Sequence, residues 1–311
     1  MKSFFKNIMA KHAGKKSTYI FMFAMLCIPI IFFIVFNIGV KVNSVLLSLK
    51  YYDKGVYKFL GNGNLFANFK QVFYDLSNNY EVKMATVNSF IFYGVNMLVI
   101  MPLSVFTSYF IYKKIPGSGF FKIMCYLPQM LSAIVMTLMY KYLVDKLLPT
   151  IYTSLGKTPP NVFYGDTKLG VMIVYNIWVG IGANIILGLG AMSRIPDQLI
   201  EVGELEGISL WKEFWQITFP LIFPTITVFI VTGVAGLFTS QAHVYNFYGD
   251  FAPEDISTLG YYMFVKVIGQ NSSPSSYPYA SAFGVLFTLI AAPITLIVKY
   301  VLEKFGPEAE F

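Results

Sequence analysis

The sequence predicts an all-α, polytopic membrane protein with six transmembrane helices. Two observations carry that prediction. Residues of the Ala/Val/Ile/Leu/Met/Phe/Trp/Tyr/Cys set make up 56% of the 311, and charged residues only 13%. An ordinary soluble domain carries about 25% charged residues to cover its surface in water. The second observation is distribution. Asp, Glu, Lys and Arg are missing from Ser17–Val40, Met84–Tyr112, Ile123–Tyr140, Leu169–Ser193, Phe214–Gly249 and Val267–Val298. A helix crossing a bilayer needs about 20 mostly apolar residues. Five of the six runs reach that length, and Ile123–Tyr140 does so once Phe120, Phe121 and Leu143 are added. The last two runs exceed one span, so each includes part of an exposed loop. Disorder, a collagen-like chain and a disulfide-rich secreted fold are excluded. Cys27 and Cys125 both lie in apolar runs and read as packing residues.

Taken in order, residues 1–18 form a basic N-terminal segment, with Lys2, Lys6, Lys11, Lys15 and Lys16 ahead of the first apolar run. That run is longer than the 7–15 residues of a signal-peptide core and lacks a small-x-small cleavage site, so an uncleaved first helix is expected. The segment 41–83 is an external loop, aromatic-rich, with Gly61-Asn62-Gly63-Asn64 at its centre, and is expected to form a small cap or short helices. Lys113, Lys114 and Lys122 flank the short loop after the second helix. Basic residues collect on the cytoplasmic side, which puts the N-terminus, this loop, the loop 194–219 and the tail 304–311 inside. The net charge of +7 follows from the same topology and does not call for nucleic acid. The six lysines from Lys41 to Lys83 lie outside, in a loop long enough to cross regardless of charge. Residues 148–168, with Pro159-Pro160, and 241–279, with Asn271-Ser272-Ser273-Pro274, are further external segments. The helices of 19–303 make one transmembrane domain.

The spans contain no Asp or Glu, the residues that mark ion pathways in gradient-driven carriers. The chain has two His, His12 and His243, no clustered carboxylates, no Cys/His spacing for a metal and no phosphate-binding G-x-x-x-x-G-K-[ST] loop. It therefore reads as a non-enzymatic subunit with no cofactor or metal of its own, and any energy for transport comes from another chain.

The informative segment is the loop between the fourth and fifth spans, Arg194 to Pro220. It reads as helix–turn–helix. Pro196 suits the first turn of a helix and Asp197 its positive N-terminus. Gly207 suits the left-handed residue that ends that helix, and Ser209 the N-cap of the next. Trp211, Phe214, Trp215 and Thr218 then share one face. An interfacial anchor would be rich in Lys and Arg. Asp197–Glu213 instead carries five acids and one lysine, which favours a protein partner over anionic lipid.

Glu201, Gly207, Ile217 and Pro220 have the spacing E-x(5)-G-x(9)-I-x-x-P. This resembles the EAA loop of bacterial ABC-importer permeases, E-A-A-x(3)-G-x(9)-I-x-L-P. Val202 and Gly203 stand where that family has alanines, and Phe219 where it has leucine. Asn68-Phe69, Leu127-Pro128 and Tyr279-Ala280-Ser281-Ala282 resemble the sugar-permease branch, and the resemblance runs over most of the chain. It implies a type I importer permease in a bacterial cell (inner or plasma) membrane, multi-pass, with both termini cytoplasmic. It also implies a second homologous permease, two cytoplasmic ATPase subunits carrying ATP and Mg, and an external solute-binding protein that delivers a sugar or oligosaccharide. Glu201, Gly207, Ser209, Trp211, Phe214, Ile217 and Pro220 would then couple to the ATPase. Polar and aromatic residues of the fourth and fifth spans, Tyr175, Asn176, Trp178, Asn184, Thr239 and Gln241, are candidates for the substrate pathway. Sugars are held by aromatic faces and by amide and hydroxyl hydrogen bonds, although Asn and Thr also bond across packed helices. Three other readings stay open: a permease for a non-sugar solute, an ion-coupled secondary carrier, and a membrane scaffold without transport.

Overall fold

A computed structural model of the chain describes residues 16–61, 64–159, 161–270 and 272–307. Lys2, Lys6, His12 and the rest of 1–15, Asn62-Gly63, Pro160, Asn271 and the tail 308–311 lie outside the described residues. Among the described residues, five helices are long and apolar enough to cross a membrane: Phe21–Ser48, Tyr80–Tyr112, Lys168–Met192, Leu210–Gly236 and Pro274–Phe305. They are spans 1, 2, 4, 5 and 6. The third expected span is not one straight helix. α1 (Ser118–Met130) and α2 (Ala133–Ser154) meet at 111°, with Leu131 and Ser132 in extended conformation between them. Pro128 lies inside α1 and cannot donate to the turn before it. Counting the bent pair as one gives the expected six.

Span 1 is longer than its charge-free run. It passes a π turn at Phe33–Gly39 and stays helical to Ser48, beyond Lys41. The cap that follows departs from a purely helical fold. β1 (Lys50–Asp53) and β2 (Val56–Phe59) form an antiparallel hairpin, pairing Lys50 with Phe59 and Tyr52 with Tyr57. Its turn is Lys54-Gly55, both left-handed. Asn68 pins the root of the hairpin by donating to the carbonyls of Ser48 and Lys50, both at 2.8 Å. α3 (Ala67–Asn78) then packs on span 6, where the Tyr279 hydroxyl donates to Asp75 at 2.7 Å. The segment 241–279 is more ordered than a loop. It folds into α4 (Val244–Tyr248) and α5 (Leu259–Ile268), and Leu259, Gly260, Tyr261 and Tyr262 are buried.

Spans 2 and 4 form the closest seam. Ser104 and Ser108 donate within span 2 to the carbonyls of Ile100 (2.6 Å) and Ser104 (2.7 Å). Their oxygens also lie 3.3 and 3.2 Å from the Ile181 and Ile185 carbonyls of span 4. Gly188 faces Ser108, and a Cβ there would lie 2.5 Å from its hydroxyl. Small residues and hydroxyls let helices approach where no hydrophobic force draws them together. On the other side of span 4, Gly182 meets the backbone of Cys125 on α1. Cys27 and Cys125 are both free thiols.

Candidate functional site

Two constructions stand out at opposite ends of the span 2–span 4 seam. The first is the loop after span 4. α6 (Asp197–Leu205) starts one residue later than the sequence suggests: Pro196 is its N-cap, with ψ 130°, and not its first turn. Gly207 is left-handed at φ +69°. Its N–H donates to the Glu204 carbonyl (3.1 Å), and that of Ile208 to the Gly203 carbonyl (3.2 Å), the paired bonds of a Schellman turn. The Ser209 hydroxyl accepts from the Lys212 N–H at 3.4 Å and caps the next helix. That helix, α7 (Leu210–Glu213), is not separate. It continues through a π turn at Phe214–Thr218 into α8 (Phe219–Gly236), so Pro220 lies within one continuous rod, span 5. Gly203, at a position where the family has alanine, is buried, and a Cβ there would press on Ile208 (2.9 Å) and Ile217 (3.2 Å). Three positions of the spacing motif are thus accounted for locally: Gly207 by conformation, Ile217 by packing on Gly203, and Glu201 by its exposed place on α6.

The aromatic face divides in two. Phe214 and Thr218 are buried, while Trp211 and Trp215 stay partly exposed. Phe106 of span 2 stacks on Trp211 (5.5 Å, 11°), and Phe106 and Tyr109 both pack on Phe214. The Tyr109 hydroxyl donates to the Leu210 carbonyl at 2.8 Å. Lys113, just past the end of span 2, reaches both Glu204 and Glu213 at 3.1 Å. Burial works to lower its pKa, but the hydrogen bonds to Glu204 and Glu213 outweigh it and hold the ammonium above the usual lysine value. Glu213 is buried, and among the described residues its Oε1 has no hydrogen-bond partner. Beyond this anchored root, Leu199, Val202 and Leu205 stand exposed, Leu205 at 88%, among Glu201, Glu204 and Glu206. The element is fastened at its base and presents an apolar–acidic edge.

The second construction is a cleft of about 500 Å³, lined by Asn96, Gln129, Tyr175, Asn176, Gln241, His243 and Asn246 among others. Five are amides, able to donate and accept at once. Asn176 donates to the Ala242 carbonyl at 3.1 Å and also borders a neighbouring cleft of about 360 Å³ that contains Asn184. Ala242 and His243 are both left-handed, at φ 46° and 61°. Of the pathway candidates, Asn176 and Gln241 line the amide cleft. Tyr175 touches it but is fully buried, its hydroxyl 3.0 Å from that of Thr137. Asn184 lies in the neighbouring cleft. Thr239, with Gln241, borders a wide apolar groove beside span 6. Trp178 packs on Tyr140 and Tyr175, with its outer side exposed. Asn96 and Gln129 were not among the candidates. Their signal was present in the sequence, since each is an amide inside an apolar run.

Comparison with known proteins bears out the class of the family resemblance. No family model matches the chain. It is 26% identical over 196 residues to the multiple sugar-binding transport system permease protein MsmF of Streptococcus mutans, covering 62% of this chain and 66% of that one. It is 23% identical over 273 residues to the arabinooligosaccharides transport system permease protein AraP of Bacillus subtilis, covering 85% of this chain and 83% of that one. In fold it matches a chain of a bacterial ABC transporter involved in the import of the acidic polysaccharide alginate. There the TM-score is 0.75 with 19% identity, over 92% of this chain and 96% of that one. The alginate transporter has also been solved in complex with its alginate pentasaccharide-bound periplasmic protein, with the same TM-score. The chain is a multi-pass membrane protein with the fold of an ABC-importer permease.

Proposed function

We propose that the chain is the permease subunit of an ATP-driven ABC importer, forming half of the pathway for a sugar or oligosaccharide. The observation that carries this reading is the pairing of an anchored, apolar–acidic loop at one end of the span 2–span 4 seam with an amide-lined cleft further along it. Its relatives are named as sugar transport permeases, which supports the substrate class. The loop couples to a cytoplasmic ATPase, which holds the ATP and Mg, through Glu201, Gly207, Ser209, Trp211, Phe214, Ile217 and Pro220. A second, homologous permease supplies the other half of the pathway. An external solute-binding protein delivers substrate against the cap of 41–83 and the segments 148–168 and 241–279. The N- and C-termini are cytoplasmic. The cleft is within the range of about 300–1,000 Å³ usual for ligand sites, and its amides suit the hydroxyls of a sugar, with Asn176 and Gln241 in contact with it. Alternating access follows when ATP binding closes the ATPase dimer and moves the loop.

The test is purification from the native host in mild detergent, as wild type and as Glu201→Ala/Gly207→Pro. Co-purification of an ATPase and a second six-span chain, with the ATPase lost from the double variant, is expected. A chain that purifies alone, or keeps every partner despite the broken loop, overturns the assignment. Uptake into vesicles without ATP, driven by a proton or sodium gradient, would establish the ion-coupled alternative.

A further inference from the structure

We propose that span 2 is the transmission rod between the loop and the cleft, and that the Lys113–Glu213 pair fastens the rod to the loop. The inference rests on the importer reading above and adds a route and a residue pair to it.

At the loop end, Phe106, Tyr109 and Lys113 lie on one face of span 2, at i, i+3 and i+7. Together they clasp Leu210–Phe214 by a ring stack, a hydrogen bond to a backbone carbonyl and an ion pair. Lys113 joins three elements. It caps the end of span 2, it reaches Glu204 on α6, and it reaches Glu213 at the root of span 5. At the other end, Asn96 and Ile100 of the same span line the amide cleft. Lys113 and Asn96 are 17 residues apart, about 25 Å of helix at 1.5 Å per residue. Between them the rod packs closely on span 4, the Ser104 and Ser108 oxygens lying 3.3 and 3.2 Å from the Ile181 and Ile185 carbonyls. At the cleft the helix changes form: Asn96–Ile100 is a π turn. Such turns concentrate at functional sites, and this one is where displacement of the rod meets the cleft wall.

The chemistry of the pair argues for positioning over stability. Glu213 is 2% exposed and Lys113 11%. A buried ion pair is weak evidence for stability, because well-packed apolar residues of similar volume commonly do as well or better. Among the described residues one oxygen of Glu213 also accepts no hydrogen bond, so the carboxylate is not fully rewarded for its burial. What the pair supplies is a directional tie between two helix ends that apolar packing would allow to slide.

The experiment compares wild type, Lys113→Met/Glu213→Leu and the exchanged pair Lys113→Glu/Glu213→Lys. Each is assembled with its partner permease and ATPase in proteoliposomes, and ATP hydrolysis, sugar uptake and the melting temperature are measured on the same samples. The Met/Leu variant is expected to melt within a few degrees of wild type and to keep at least half of the ATP hydrolysis. Its sugar taken up per ATP should fall fivefold or more, and the exchanged pair should recover part of that ratio. An unchanged ratio in the Met/Leu variant overturns the proposal. So does a parallel loss of hydrolysis, uptake and melting temperature, which would mark the pair as merely structural. A wild-type assembly that hydrolyses ATP without uptake, or takes up sugar without ATP, overturns the importer reading itself and the proposal with it.

Discussion

Gly207 is the position where a single atom should disturb the loop after span 4 most cleanly. Its φ of +69° is one that L-residues rarely adopt, yet a Cβ built there meets nothing within 4 Å. The cost of Gly207→Ala is therefore purely conformational. A left-handed L-residue costs about 1–2 kcal/mol, and part of that is offset because alanine has a less disordered unfolded state than glycine. A net loss of about 1 kcal/mol corresponds to a roughly fivefold shift in the open–closed balance of the turn, at RT of about 0.6 kcal/mol. The reporter is the Ile208 amide, whose bond to the Gly203 carbonyl closes the Schellman turn. In the detergent-purified complex its hydrogen exchange should quicken about fivefold in Gly207→Ala. Gly207→Asn should show less, since asparagine visits the left-handed region more readily. ATP-driven uptake should fall in the same order. If the Ala variant exchanges at the wild-type rate, or the Asn variant faster than the Ala variant, the conformational account of this glycine is wrong.

Three further outcomes follow from the same geometry. Leu205 is 88% exposed in this chain, so Leu205→Ala should leave the melting temperature unchanged. On the proposal that the ATPase covers this apolar–acidic edge, it should weaken ATPase binding roughly tenfold or more in a pull-down titration, because burying a leucine is worth about 1.5–3 kcal/mol. Gly188→Ala would place a methyl 2.5 Å from the Ser108 hydroxyl. It should cost about 1–3 kcal/mol by overpacking, read as a lowered thermal midpoint in detergent and recovered by Gly188→Ala/Ser108→Gly. Burial lowers the pKa of His243 below its usual 6.5, so the folded chain favours the neutral ring and the unfolded chain binds the proton first. Stability from this group is complete above about pH 6.5 and is lost as the pH falls through that value. The melting temperature should drop on acidification from pH 7.5 to 5.5, and drop less in His243→Gln.

The features legible in the sequence are those set by short-range rules. Charge-free runs marked the spans because a charge in the bilayer is costly wherever it falls, and Gly207 and Ser209 marked the turn because only a few residues cap helices well. What was not legible depends on neighbours distant in the chain. Pro128 was visible, but the 111° turn also requires α1 to lie against Gly182, so that the chain leaves its first direction at Leu131-Ser132. The external loop was expected to form a small cap or short helices, and nothing in its composition marked the hairpin that closes at Lys54-Gly55. The root of that hairpin is fixed by Asn68, whose amide meets carbonyls 18 and 20 residues away. Lys113 read only as a topogenic charge, because nothing local to it predicts Glu204 and Glu213. Asn96 and Gln129 are a different case. The rule that selected Asn176 and Asn184, an amide within an apolar run, applies to them equally, and restricting it to the fourth and fifth spans left them out.

The surfaces this chain exposes make unequal demands on what surrounds them. Phe23, Ile28 and Leu98 are 71–79% exposed, and the groove beside span 6, about 770 Å³, is walled by Phe238, Phe264, Phe287 and Ala291. Lipid tails are as apolar as these side chains, so the bilayer alone accommodates them and their exposure requires no protein partner. The amide cleft is different. Asn96, Asn176 and Gln241 are only half-buried, and Gln129 is exposed. Polar groups left facing hydrocarbon without hydrogen bonds each cost several kcal/mol. Gln129 and Asn176 donate within the chain, to the carbonyls of Val179 and of Met172 and Ala242, and the remaining polar groups of that surface favour water, a polar solute or another polypeptide over lipid. Water and solute reach it only if something else holds the lipid away. The apolar faces are thus free to meet lipid, whereas the cleft calls for a facing wall, which is the physical argument for the proposal that the chain forms half of a pathway.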